Sequence, residues 1–253
     1  MNMRALKYPL LEKRFMKKEV YIGVDGCREG WVAAVLDHGE LVIDSYKDFN
    51  SLIECYPAFD TFLVDMPIGL KNNNGQKRPE KEARQVLGKR SSTVFPVPCR
   101  KAVYSETEEE QKRANISILE KSLSRQSIAI IPKIKELDVF FKDHPEYKNT
   151  ILESHPELCF TRLKGSLILS KKKELSGALE RMDILSDYLS NVSLQTLLDK
   201  AKEIQCNLDD LIDALCLAVT AALKAHGLTE TIPLKPEKDD CGLYMMMTVP
   251  KRI

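Results

Sequence analysis

The chain has 253 residues, of which 43% are hydrophobic and 30% charged, and these proportions are ordinary for a globular protein with a sizeable core. Its 38 basic and 37 acidic residues nearly cancel, which argues against a strong general nucleic-acid binder. No apolar run approaches the roughly 18 residues of a membrane span, so we expect no membrane partner. The seven cysteines never form a C-x-x-C pair and, without an export signal, indicate reduced thiols in a cytoplasmic protein.

The N-terminal part predicts an extension followed by a three-stranded meander. Residues 1–18 are basic and lack the apolar segment of a secretory signal, so we expect an extension before a single domain at residues 19–253. Met16 is an alternative start. VYIGVDG has the pattern of a buried strand, and WVAAVLD and LVIDSY from Leu41 follow after short turns, which predicts three antiparallel strands.

The rest of the chain predicts an α/β order. FNSLIECY is spaced as a short helix, and TFLVDMP from Thr61 is a fourth strand, expected beside the first and parallel to it. Residues 71–148 are polar and mostly helical in pattern, TILESH from Thr150 reads as a fifth strand, and NLDDLIDALCLAVTAALKAHG as a late helix. GLYMMMTVP predicts one more strand. The predicted fold class is therefore α/β, with a mixed five-stranded sheet, flanking helices and a helical insertion between strands 4 and 5.

Two aspartates stand at the ends of strands that otherwise have a buried pattern. Asp25 ends the first strand and Asp65 ends the fourth. If these strands are adjacent and parallel, both carboxylates face the crevice at the carboxyl ends of the strands, where ligands bind in open α/β sheets. A single strand-end aspartate is often only a turn former or a helix cap. The pair is the stronger signal, and it predicts a shared acidic site.

The late helix carries further acids. It is apolar nearly all round after Asp213, so we expect it to be buried, and a buried carboxylate is costly unless a cation accompanies it. Asp210 and Asp213 are three residues apart and can meet on one face, whereas Asp209 also suits the first turn of a helix. Helical geometry leaves open whether Asp209 or Asp210 partners Asp213.

Long motifs along the chain resemble a known family. They are GVDGCREGW, VDMPIGL, EARQVLGKRSSTVFPVPCR, RQSIAIIPKIKELD, ESHPELCF, SKKKELSGALERMD and DDLIDALCLA. Over about residues 20–250 the chain resembles a family catalogued as domain of unknown function 429, whose members are predicted to be ribonuclease-H-like nucleases. The resemblance implies a ribonuclease-H-like fold with a family-specific insertion, and it transfers that fold more safely than an activity.

Within that wider fold, Holliday-junction resolvases are similar in the placement of their acids. The similarity implies catalytic roles for Asp25, Asp65, Asp210 and Asp213, and it implies that these residues hold Mg or Mn. Glu153, on the fifth strand, is either an additional metal ligand or a carboxylate that supports the ligands from behind. Two such ions about 4 Å apart activate a water and stabilise the leaving oxygen of a phosphodiester. Carboxylate oxygens suit these hard ions. The leading interpretation is a metal-dependent nuclease or phosphodiesterase acting on a nucleic acid or nucleotide.

Side chains suited to phosphate recognition lie mostly in the predicted insertion. The predicted substrate-binding residues are Arg28, Arg84, Arg90, Ser92, Arg100 and Lys133. VFPVP, next to several of them, is too apolar for a freely exposed loop and favours a structured segment. His155 and Cys159 are too few ligands to predict a zinc site.

Two other functions stay open. An actin-like-fold small-molecule kinase or nucleotide-binding protein also begins with a strand-end aspartate before a glycine, but Asp65-Met66-Pro67-Ile68-Gly69 is a poor phosphate loop. A non-catalytic nucleic-acid-binding module would keep the fold without the chemistry. The nuclease interpretation leads because the full set of acids is present.

Overall fold

A computed structural model describes residues 19–190 and 192–252, and in this part of the chain five strands form one mixed sheet. They are β1 (Val20–Cys27), β2 (Gly30–Asp37), β3 (Glu40–Tyr46), β4 (Thr61–Val64) and β5 (Ile151–Glu153). Their order is β3-β2-β1-β4-β5, with β1, β2 and β3 antiparallel and the β1–β4 and β4–β5 pairs parallel. The predicted five-stranded mixed sheet and the predicted β1–β4 pairing are confirmed. The expected extension at residues 1–18 lies outside the described residues.

Helices flank the sheet, as predicted. The α-helices of the described residues are α1 (Phe49–Cys55), α2 (Glu80–Leu87), α3 (Arg100–Val103), α4 (Glu108–Leu119), α5 (Arg125–Ala129), α6 (Ile131–Asp143), α7 (Pro156–Lys164), α8 (Leu175–Ser186), α9 (Leu194–Glu203) and α10 (Leu208–Ala225). Helices α2 to α6 lie between β4 and β5, where the sequence predicts mostly helix, and α10 is the predicted late helix. Among the described residues, none of the helices combines the length and the apolar character that crossing a bilayer needs.

The alternation of side chains along the strands divides the core into two layers. Along β1, Tyr21 and Cys27 point to the face that α10 covers, whereas Ile22 and Val24 point to the face that α1 and α6 cover. Trp31, on β2, is fully buried in the second layer. Successive residues of a strand therefore contribute to opposite layers of the core.

Gly23 lets α10 lie directly on the backbone of β1. A Cβ atom at Gly23 would lie 2.1 Å from Ala218 N, 2.2 Å from Ala214 O and 2.5 Å from Leu217 C, distances that real Cβ atoms do not reach. Every residue of α10 from Asp210 to Leu223 is buried, as its all-round apolar pattern predicts. The helix is therefore held against the centre of the sheet at backbone distance.

A second, two-stranded sheet follows α10. It pairs β6 (Thr229–Lys238) with β7 (Tyr244–Pro250) in antiparallel orientation. The sequence predicts β7 but not β6, because Pro233 and Pro236 interrupt the β6 run and proline argues against a strand. The pairing of β6 is irregular between Ile232 and Glu237, which is where the prolines lie.

Gly23→Ala should destabilise the fold strongly, because the added methyl group would enter helix backbone that has no rotamer to change. We expect the free energy of unfolding, measured by urea titration, to fall by about 1–3 kcal/mol or more. Gly75→Ala is the matched control, since its Cβ would meet only the Asn73 Oδ1 atom, at 3.2 Å. Equal stability of the two variants would contradict the close contact.

Candidate functional site

Asp25 and Asp65 lie side by side at the ends of two parallel strands. The β1–β4 register ends with Val24 opposite Val64, and the backbone N of Asp65 donates to the carbonyl oxygen of Val24 at 2.9 Å. Leu63 packs on the α10 side of the sheet, so Asp65, two residues later, continues on that side. The same alternation puts Asp25 on the α10 side. Asp25 is 7% exposed and Asp65 is half-buried.

A cavity of about 230 Å³ opens beside these two carboxylates. Its other walls come from the loop after β4, from residues 93–97, from the α5–α6 junction, from the end of β5 and from β7. Most of this wall belongs to the segment between β4 and β5. The acidic edge of the sheet is therefore partly covered by that segment rather than fully open.

Helix α10 adds Asp213 to the two strand-end acids, and we call Asp25, Asp65 and Asp213 the acid cluster. Burial raises the pKa of Asp25 well above its ordinary value, and the charges of Asp65 and Asp213 raise it further. Burial likewise raises the pKa of Asp65, with the charge of Asp213 adding to the effect. Burial raises the pKa of Asp213 to about 6, even though Lys172 acts to lower it. The three carboxylates therefore interact electrostatically as one group.

Lys172 supplies a positive charge next to Asp213, and nothing in its sequence pattern predicts this role. Its Nζ donates to Asp213 Oδ2 at 2.6 Å and lies 3.6 Å from Asp209 Oδ2. Burial alone would lower the pKa of Lys172, but the charges of Asp213 and Asp25 raise it, so the ammonium remains charged. Its flanking residues Lys171 and Lys173 are exposed. Three consecutive lysines are alike in sequence, so only the tertiary structure identifies the one that points inward.

Asp209 and Asp210, between which the sequence leaves the partner of Asp213 open, make different contacts. Asp209 shares the Lys172 ammonium with Asp213. Asp210 accepts a hydrogen bond from Asn207 Nδ2 at 2.9 Å, and burial raises its pKa. The charge of Asp210 also contributes to raising the pKa of Asp25. Asp209 is therefore linked to the acid cluster through Lys172, and Asp210 through the effect of its charge on Asp25.

Glu153, a predicted additional metal ligand, has an intramolecular partner. Arg78 Nη2 donates to its two oxygens at 2.9 and 2.7 Å, and the backbone N of Ile68 donates to Oε2 at 2.7 Å. Burial raises the pKa of Glu153 to about 7 against the opposing charge of Arg78. Glu153 lies two residues after Ile151, on the sheet face away from α10. The pair ties the loop after β4 to β5, and the metal role of Glu153 stays a prediction.

Two of the predicted phosphate-binding arginines hold the structure together. Arg84 donates to the carbonyl oxygen of Val94 at 3.0 and 2.7 Å. Arg100 donates to Asp138 Oδ1 at 2.6 Å and also binds Asp239, which lies between β6 and β7. The Arg84 guanidinium makes a local contact ten residues away, whereas that of Arg100 connects parts of the chain that are 38 and 139 residues apart. Their substrate roles stay predictions.

The other four predicted substrate residues differ in their access to the cavity. Arg28 and Ser92 are exposed. Arg90 Nη2 lies 3.3 Å from Glu157 Oε1, and its side chain is 19% exposed. Lys133 lines the cavity beside Asp25. Of the six, Lys133 is therefore the one that the structure brings to the cavity wall.

His155 also lines the cavity, although the sequence predicts no zinc site for it. Its Nε2 lies 3.4 Å from the carbonyl oxygen of Thr93, so Nε2 carries the hydrogen and Nδ1 is the acceptor of a neutral ring. Nδ1 is buried and has no hydrogen-bond partner in the described residues. A buried hydrogen-bond acceptor without a donor is unusual in a folded protein.

The acid cluster fits Mg or Mn in its chemistry. Within residues 19–190 and 192–252, no three or more His, Cys, Asp or Glu side chains are grouped so that they could hold a metal ion. The carboxylates are nevertheless the hard oxygen donors that these ions prefer. Among the described residues Asp213 Oδ1 has no hydrogen-bond partner although it is buried, which is the state that a bound cation would relieve. A metal role for Asp25, Asp65, Asp210 and Asp213 stays a prediction.

A family model described as a protein of unknown function, DUF429, matches residues 23–238. The chain belongs to the DUF429 family. The matched part of this DUF429 chain contains all three members of the acid cluster, as well as Lys172 and the segment between β4 and β5. No curated protein and no solved structure matches the chain.

Asp25→Asn should raise the melting temperature in buffer without divalent ions. A carboxyl group whose pKa is raised on folding lowers stability as pH rises from its unfolded value near 4 through its folded value. For this cluster the destabilisation is therefore present at pH 7.5 and largely absent at pH 4. We expect a gain of roughly 2–4 °C or more at pH 7.5 and a smaller one at pH 4, measured by scanning calorimetry.

Asp44→Asn is the matched control for this substitution. Asp44 is an exposed strand aspartate that accepts from the backbone N of the next residue at 2.8 Å, as Asp25 does at 2.7 Å. Asp44 is exposed and is not part of the acid cluster of the described residues, so the Asp44→Asn protein should melt at the temperature of the unsubstituted protein. A gain that is the same at both pH values, or that Asp44→Asn reproduces, would contradict the electrostatic account.

Lys172→Met should destabilise the protein at pH 7.5, because it leaves Asp213 buried without its partner. We expect a loss of about 1–3 kcal/mol in urea unfolding. Adding Asp213→Asn should recover much of that loss, which a double-mutant cycle measures. Lys173→Met, at the exposed neighbour, is the control and should have little effect. Additive effects of the two substitutions would show that the pair is not coupled.

Proposed function

We propose that this chain is a divalent-metal-dependent phosphodiesterase or nuclease with a ribonuclease-H-like fold. The observation that carries the proposal is that acids from β1, β4 and α10 form one electrostatically interacting group, in which Asp213 Oδ1 is buried and has no hydrogen-bond partner among the described residues. Mutually destabilising carboxylates at the carboxyl ends of adjacent parallel strands are typical of a functional site rather than of a structural ion pair.

The fold supports the same proposal. A meander followed by a parallel fourth and fifth strand is the arrangement that the resemblance implies for a ribonuclease-H-like core. Helices α2 to α6 then form the insertion that the resemblance also implies. The acids occupy the three positions expected from the resolvase similarity, on the first strand, the fourth strand and the last helix of that core.

In this proposal the acid cluster would hold Mg or Mn. When bound, such an ion polarises a phosphoryl oxygen and lowers the pKa of a water molecule. Asp25 and Asp65 present their carboxylates from rigid strand ends, and Asp213 adds its unpartnered oxygen from α10. Lys172 holds the other oxygen of Asp213 and so fixes the orientation of that carboxylate. Lys133, at the cavity wall, provides a positive charge for a phosphate oxygen.

Hydrolysis of a phosphodiester should require Mg or Mn and should be suppressed by Ca, whose looser coordination positions the reacting groups badly. Asp25→Asn and Asp65→Asn should each remove essentially all turnover. Each should also remove the rise in melting temperature that Mn produces in the unsubstituted protein. The assay is a panel of single-stranded, duplex, hybrid and branched nucleic acids together with small phosphodiesters.

Asp44→Asn is again the control and should keep both the turnover and the response to Mn. Cleavage that survives in the Asp25 and Asp65 variants would point to a contaminant or another site. Absence of cleavage together with clear ATP binding would favour the kinase alternative instead.

A further inference from the structure

We propose that the cavity beside Asp25 and Asp65 is a subsite for one nucleotide unit, whose phosphoryl group faces the carboxylates and whose ring lies between the apolar walls. The inference rests on the proposed function, and it names the substrate class of the same site. The shared chemistry is a phosphoryl group attached to a single planar ring system. Its source is either a free nucleotide or one nucleotide of a strand.

The size of the cavity sets the first limit. Its volume is about 230 Å³, which is below the range of about 300–1,000 Å³ that is typical for drug-sized ligands. The space suits one ring system and is too small for a base pair. A duplex could therefore use it only by extruding a base, which requires that base to be unpaired and unstacked. A free nucleotide or the end of a single strand enters without that cost.

The composition of the walls sets the second limit. Met66, Val97, Ile130 and Met247 give the cavity an apolar surface. Phe95 stands at the same wall with 37% of its surface exposed, and within the described residues it makes no contact with another aromatic ring. An exposed, unstacked phenyl ring beside a narrow apolar space is suited to stacking on a base.

Two polar groups on the wall are available to a ligand. Lys133 Nζ donates to the carbonyl oxygen of Gly30 and lies 4.4 Å from the centre of the Trp31 ring, but within the described residues it has no carboxylate partner. Its charge is therefore available to a phosphate oxygen. His155 also lines the wall, and its Nδ1 is a buried acceptor without a donor among the described residues, so an N–H of a base or an O–H of a sugar that reached it would satisfy it.

Binding tests the subsite independently of turnover. Titration calorimetry would measure the Kd of adenosine and thymidine monophosphates, in Mg, for the unsubstituted protein and for two cavity variants. Ala129→Trp fills the cavity from an exposed position, so it should fold, and Phe95→Ala removes the stacking surface. We expect each variant to raise Kd at least tenfold. Leu234→Ala, at an exposed leucine outside the cavity, should leave Kd unchanged.

Turnover then distinguishes the two sources of the nucleotide. The substrates are bis(p-nitrophenyl) phosphate, a linear single-stranded oligonucleotide and a closed circular duplex. Hydrolysis of the small diester without the oligonucleotide indicates a free nucleotide derivative, whereas trimming of the oligonucleotide from one end indicates a strand terminus. In both cases Ala129→Trp should abolish the reaction.

Failure of the subsite and failure of the proposed function give different results. Cutting of the closed duplex that Ala129→Trp does not affect would overturn the subsite and leave the nuclease proposal standing. Nucleotide binding that Ala129→Trp removes, without hydrolysis of any substrate, would support the subsite and overturn the nuclease proposal. Absence of both nucleotide binding and hydrolysis would overturn both.

Discussion

The contact between β1 and α10 at Gly23 is the constraint on which the site depends. The backbones of the strand and the helix meet there, and nothing larger than hydrogen fits between them. Asp25 lies two residues beyond this contact on the strand, and Asp213 is the residue before Ala214, whose carbonyl forms part of it. Because backbone cannot change rotamer, the relative position of the two carboxylates is determined by the least adaptable packing in the core.

The buried carboxylates of the core differ in the cations that accompany them. The Glu153 carboxylate receives two hydrogen bonds from Arg78, and Arg100 bridges Asp138 and Asp239, so each of these buried acids directly contacts a guanidinium group. The acid cluster, in contrast, brings three carboxylates together, and among the described residues Lys172 is the cation that binds one of them, Asp213, directly. Buried charge that is not balanced costs several kcal/mol per ion. The rest of the fold has to supply that free energy, which is characteristic of sites kept for a function.

Much of the fold and part of the site can be predicted from the sequence, because both depend on local periodicity. The buried-strand runs in VYIGVDG and TFLVDMP predict two strands, and their parallel pairing brings Asp25 and Asp65 together. Lys172 could not be identified, since a lysine that turns inward has the same sequence signature as one in solvent. Nor could the intramolecular partners of Arg84 and Arg100, which lie 10 to 139 residues away in sequence. Long-range contacts of charged groups leave no periodic pattern.

Most of the cavity wall beside the acids comes from one segment of the chain. The acid cluster is carried by the sheet and α10, whereas Phe95, Ala129 and Lys133 belong to the segment between β4 and β5. Substitutions in that segment can therefore reshape what enters the cavity while the β1–α10 contact keeps the carboxylates in place. The shape of the cavity and the position of the carboxylates are consequently set by two separate stretches of sequence, so either can change without the other.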